Sequence, residues 1–315
     1  MLLTPEILTI LILNAIFTLF ATVAFFLSVR IFLYWDIHST SQMQYKLEKQ
    51  SFLASTIIKY IFSIKVPLFF FFVFALDKIS NVLTGAMCAA GVVDATDVGT
   101  YLFILKIINL YLFAHWLKLH SEDMVNKNQP YTKLKFGLFI ALFFFFMVEV
   151  VMETIMFSSI DIDKMVSCCG SIYSSSSTSA ISTLFTLDTS LLLTIFYSNF
   201  ILITLFYFLK NKYLFSILNI IFIPVALISL ILFFGTYIYE LPSHHCPFCF
   251  LQSEYYYVGY FIYFLLFMGT FYGFIVSFVK ESNKNYNLSL LFNSLYVILL
   301  SLYVLVYYIK NGVFL

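Results

Sequence analysis

Runs of about 20 apolar, nearly uncharged residues recur along this chain of 315 residues, and they restrict its fold more than any other feature. No water inside a bilayer satisfies a backbone N–H or C=O, so each run must close its hydrogen bonds internally, as a helix. Charged residues are only 10% of the chain, against about 25% in soluble domains. The expected fold class is all-α: a polytopic transmembrane helical bundle, one integral membrane domain over 1–315. Eight spans are expected, at about 5–29, 57–76, 100–119, 136–157, 184–209, 213–238, 256–280 and 289–309. The run from Ile7 to Val29 is too long for a signal-peptide core and lacks a convincing small-residue cleavage site, so it reads as a retained first span.

Basic residues orient the spans. One set of loops and span ends holds 13 Lys and Arg residues, Lys65 and Lys135 among them. The opposite set holds 3: Lys78, Lys164 and Lys310. The positive-inside rule then places both termini outside the cytoplasm, as in a bacterial inner-membrane protein with its outer loops in the periplasm. Residues 31–56 read as a polar amphipathic connector on the membrane surface. The link at 210–213 is short enough to make the fifth and sixth spans antiparallel neighbours. Pro67 and Pro224 fall inside spans, where they are expected to kink them. Tyr237, Tyr239, Tyr255, Tyr256 and Tyr257 read as an interfacial aromatic belt. The aromatic, Ala-poor spans offer few small-residue packing faces.

With this orientation all five cysteines fall on the outer side, in three loops: Cys88, Cys168, Cys169, Cys246 and Cys249. Thiolates serve disulfide exchange and soft-metal binding. The richest segment is His244-His245-Cys246-Pro247-Phe248-Cys249. A CxxC pair closes a small disulfide ring or clamps a metal. If Pro247 opens a helix, Cys246 is its N-cap and Cys249 lies in the first turn, where the dipole lowers a thiol pKa. The alternative is a structural disulfide bracing a loop. Adjacent Cys168 and Cys169 rarely bond each other; each pairs elsewhere, or both bind one soft metal. The serines from Ser174 to Ser177 give their loop a flexible composition. Small residues surround Cys88, and Met87 adds a thioether.

Charges inside spans are costly and need partners. Glu149 and Glu153 are four apart and share a helix face. Lys106 is a plausible ion-pair partner for one, which leaves a surplus carboxylate and makes both candidates for proton handling. Asp188 sits near an outer helix end, and His115 and Trp116 near an inner one.

Three functions are compatible with these residues. The first is a membrane thiol–disulfide oxidoreductase, with Cys246, Cys249, Cys168, Cys169 and Cys88 passing electrons between an extracytoplasmic thioredoxin-like partner and membrane quinone. The CxxC at the outer end of a span resembles that of the DsbB and vitamin K epoxide reductase families. That resemblance implies that Cys246 and Cys249 face quinone while loop cysteines meet the partner; those families have a four-helix core and a separated loop pair. The second is a soft-metal protein for copper, zinc or mercury, served by a metallochaperone, with ligands from His244, His245 and the same cysteines. The third is a subunit of a membrane complex, braced by outer-loop disulfides. A net charge of +1 gives no case for nucleic acid. No P-loop, Ser-His-Asp arrangement or HExxH motif is present.

Overall fold

The structure is a computed structural model, and it describes residues 4–36, 39, 41–126, 129–161, 166, 188–278 and 283–315. Among the described residues the fold is all-helical, without strands. Eight helices are long and apolar enough to cross a membrane, as the hydrophobic runs required. They are α1 (Pro5–Tyr34), α2 (Gln42–Ser80), α4 (Gly99–Val125), α5 (Thr132–Ser159), α6 (Thr189–Leu209), α7 (Lys212–Tyr239), α8 (Val258–Ile275) and α9 (Asn283–Asn311). A short helix, α3 (Ala89–Asp94), lies between α2 and α4.

The ends follow local chemistry. Pro5 opens α1, where a missing N–H costs nothing. Side chains of Ser41, Asp188 and Asn211 accept backbone N–H bonds at the starts of α2, α6 and α7. Lys210, at φ 53°, turns the chain between α6 and α7 within two residues. The structure corrects the surface connector expected over 31–56. Its second half is helical from Gln42 and continues unbroken into the span, because Ser41 caps it and no breaker intervenes before Pro67.

Contacts cluster in two units, Met1–Val82 with Val92–Lys164, and Leu83–Gly91 with Met165–Leu315. In the first, α1 packs on α2 and α5, and α4 packs on the same two helices. Its aromatic core stacks Phe62 on Phe113 at 4.3 Å, with Trp116 edge-on. Trp116 also donates through Nε1 to the Lys135 carbonyl at 2.8 Å.

In the second unit α8 packs on α7 and α9, and α6 on α7 and α9. Gly269 and Gly273 lie one turn apart on α8. A β-carbon at either would overlap a side chain, Asn293 at the first and Asn219 at the second. The two asparagines bond each other at 2.8 Å, and Ser289 donates to the Gly269 carbonyl at 2.8 Å. This GxxxG notch is a small-residue packing face of the kind the sequence reading found scarce. Large apolar side chains such as Leu19, Phe26 and Phe208 stay exposed on the helices, as a lipid-facing surface requires.

Candidate functional site

Of the five cysteines, three come together in the second unit. The sulfurs of Cys88, Cys246 and Cys249 all lie within 4.8 Å of one another. Cys88 and Cys246 Sγ are 3.4 Å apart, across 158 positions of sequence. All three residues are buried, at 0%, 1% and 6% exposure. Cys168 and Cys169 lie outside the described residues.

Two tyrosines and a glycine hold the CxxC loop. The Tyr239 hydroxyl, at the end of α7, donates to the Cys246 carbonyl and accepts from Phe250 N. Tyr263 of α8 donates to the Pro247 carbonyl at 2.7 Å. Gly259 lets Phe250 pack against the α8 backbone, where a β-carbon would collide with that ring. Tyr239 is 5% exposed, so it does not belong to the aromatic belt in which the sequence reading placed it. A buried phenol must find polar partners, and Tyr239 finds them on both sides of the CxxC. Tyr256, at 92% exposure, does keep the solvent- or headgroup-facing character of a belt.

The expected helix start at Pro247 is not observed. The turn that forms is a three-residue 3-10 segment, Cys249–Leu251. Cys246 nevertheless behaves like a cap: its sulfur accepts the Phe248 N–H at 3.4 Å. Tyr239 of α7 and Tyr263 of α8 instead engage the carbonyls of Cys246 and Pro247.

Cys88 comes from a separate segment of the same unit, Leu83–Gly91. Gln252 Nε2 donates to the Met87 carbonyl at 3.1 Å, tying the Cys88 segment to the chain just after the CxxC. Val166 N donates to the Thr84 carbonyl at 3.0 Å, and Gly85, at φ 93°, gives way to the Val166 carbonyl. The Met87 side chain is 71% exposed, away from the buried sulfurs.

The histidines beside the CxxC make contacts of their own. His244 packs edge-on against the Tyr239 ring at 4.3 Å. His245 Nδ1 lies 3.1 Å from the Ile231 carbonyl, and since a carbonyl only accepts, the contact needs a proton on Nδ1. Ile231 sits in a π-helical turn, Leu230–Phe234, that widens α7. Outside the spans, burial and then the Cys249 sulfur and Glu254 push the Tyr255 hydroxyl above its usual range.

Glu149 and Glu153 belong to the first unit and to a different kind of cluster. Lys106 lies 2.9 Å from each of them. Lys65 supplies a second cation, 3.1 Å from Glu149, and donates to Asn14 Oδ1 at 2.8 Å. Asn14 in turn donates to Glu153 at 2.7 Å, closing a ring through α1, α2, α4 and α5. Asn109 adds a bond to Glu149 at 2.6 Å. Two lysines therefore meet two carboxylates, and the surplus expected from Lys106 alone is absent. Lys65, counted above among the inner loops and span ends, is 5% exposed. Lys135 is likewise buried, paired with Asp123 at 2.7 Å. Asp188 is an N-cap, accepting from Ser190 N at 3.1 Å.

The fold and this pocket define a multi-pass helical membrane protein with a buried trio of cysteines beside one helix end. Comparison with known proteins adds no relative: no protein-family model, no curated protein and no solved structure matches the chain.

Proposed function

We propose that this protein handles a soft metal ion, bound in reduced form by Cys88, Cys246 and Cys249. The observation that carries the reading is the convergence of three buried sulfurs within 4.8 Å. Sulfur is the donor that soft ions select, and three sulfurs gathered this closely can turn toward one ion. Burial favours an ion over a protein disulfide as the reactant. A partner protein's sulfur must touch the one it attacks, and Cys246 at 1% exposure presents little to touch. The tyrosine hydroxyls hold the ligand loop as outer-shell groups do in metal sites.

We place the pocket on the extracytoplasmic side of a bacterial inner membrane. Removing the ion-paired Lys65 and Lys135 from the count of basic residues leaves 11 against 3, still a strong bias. By the same rule both termini are extracytoplasmic, and a periplasmic metallochaperone is the natural class of donor or acceptor.

Thiol–disulfide exchange with membrane quinone is the second reading, and the 3.4 Å approach of Cys88 to Cys246 favours it. A disulfide between them removes two of the three ligands. The two readings therefore exclude each other in any one molecule, and redox state would gate metal binding.

The test is titration of the reduced, detergent-solubilised protein with Cu(I), Zn(II) and arsenite, followed by alkylation and thiol counting. One equivalent should protect three thiols, and a Cys168→Ser/Cys169→Ser double variant should keep that protection. Unaltered alkylation with every ion contradicts the reading.

A further inference from the structure

We propose that the favoured occupant of the Cys88–Cys246–Cys249 pocket is a trivalent metalloid of the arsenite or antimonite class. This inference rests on the soft-metal reading above and sharpens it. Its basis is charge. Three thiolates around a monovalent copper ion carry a net charge of −2, and around a divalent zinc or mercury ion −1. Around a trivalent centre they carry none. A net charge is expensive to hold in a site withdrawn from water, and these ligands are 0%, 1% and 6% exposed.

The exchange balances without any oxidant or reductant. As(OH)3 reacts with three cysteine S–H groups to give As(S-Cys)3 and three waters. Three As–O and three S–H bonds break, three As–S bonds form, and each hydroxide leaves with a thiol proton. Arsenic stays trivalent, and no net proton is released. Copper or zinc binding to the same thiols must instead expel protons into solution.

One sulfur pair points the same way. At a metal–sulfur bond of about 2.3 Å, tetrahedral ligands stand about 3.8 Å apart and planar trigonal ligands about 4.0 Å. A trivalent centre keeps a lone pair and binds three sulfurs as a steep pyramid, which draws them closer together. Of the three sulfur pairs, Cys88 and Cys246, at 3.4 Å, lie on the pyramidal side of those values; the pairs with Cys249 fall within 4.8 Å. A pyramid also uses three ligands from one side only, whereas structural zinc calls for a fourth.

The experiment compares arsenite, Cu(I) buffered by a chelator and Zn(II) on the reduced, full-length protein in detergent. It reads bound equivalents, thiol protection and protons released, with X-ray absorption at the arsenic edge counting sulfurs. The expected result is one arsenite per chain in a three-sulfur shell, with no net proton release. Cys88→Ser should lower arsenite affinity by at least about 100-fold, the upper range for loss of a mere outer-shell partner. The Cys168→Ser/Cys169→Ser variant should leave it unchanged. Protection by Cu(I) or Zn(II) but not by arsenite overturns this inference and leaves the soft-metal site standing. Protection by none of the three overturns both. Loss of arsenite binding in the double variant assigns the ligands elsewhere and overturns the pocket. Where Cys88→Ser fails to fold, the sulfur count on the unaltered protein decides.

Discussion

The ionic ring of the first unit and the thiol pocket of the second both gather reactive groups away from solvent, but they hold them differently. In the ring the chemical groups are themselves the fasteners. Lys65, Lys106, Glu149, Glu153 and Asn14 bond one another across four helices. In the pocket the sulfurs sit against each other while Tyr239, Tyr263, Gln252 and Gly259 do the holding. In the ring the charges cancel and the members bind one another, an arrangement that ties four helices together. In the trio the surroundings do the positioning, which leaves the sulfurs as ligands in the reading proposed above.

The sharpest way to break that contrast is to remove one charge from the ring. Lys106→Met leaves Glu153 without its lysine and Glu149 with Lys65 alone, and breaking a buried pair this way costs about 3–5 kcal/mol. Denaturant unfolding in detergent should show that loss, and Lys106→Met with Glu153→Gln should recover most of it. A neutral single variant would mean the ring is not a fastener. By contrast Cys249→Ser should leave stability of the metal-free protein nearly unchanged while abolishing thiol protection.

Tyr239→Phe probes the holding role. It leaves the Phe250 N–H and the Cys246 carbonyl without their hydroxyl partner, at about 1–3 kcal/mol. Metal affinity should fall about 10–100-fold with three sulfurs still bound; unchanged affinity would show that the loop needs no such anchor. Gly273→Ala should cost about 1–3 kcal/mol by driving a methyl into Asn219, with metal binding intact. Smallest of all, Lys310→Met removes an exposed pair with Glu240, about 58% and 51% accessible, and should change stability by less than about 1 kcal/mol.

The two regions were also unequally legible. Apolar run length sets helix number directly, so all eight spans could be read from sequence. Glu149 and Glu153 stood out because charge is rare in a span, and so did Lys106. Lys65 did not, because it lies close enough to a basic inner segment to be counted with it. A lone Asn in an apolar run, such as Asn14 or Asn109, was the signal that could have revealed the ring, since a buried amide needs partners. The CxxC was visible as a local motif. Its meeting with Cys88 was not, because contact across 158 positions leaves no periodicity or spacing. Tyr239 was misassigned because a tyrosine near a span end has the same sequence signature whether it faces headgroups or a neighbouring loop.

The most direct test of the account is elemental analysis joined to thiol counting on the protein purified under reducing conditions. The account predicts close to one equivalent of a soft metal or metalloid after loading, with Cys88, Cys246 and Cys249 resisting alkylation until a competing dithiol strips it. A chain that retains no such element, and whose three thiols alkylate at the same rate before and after loading, would contradict it.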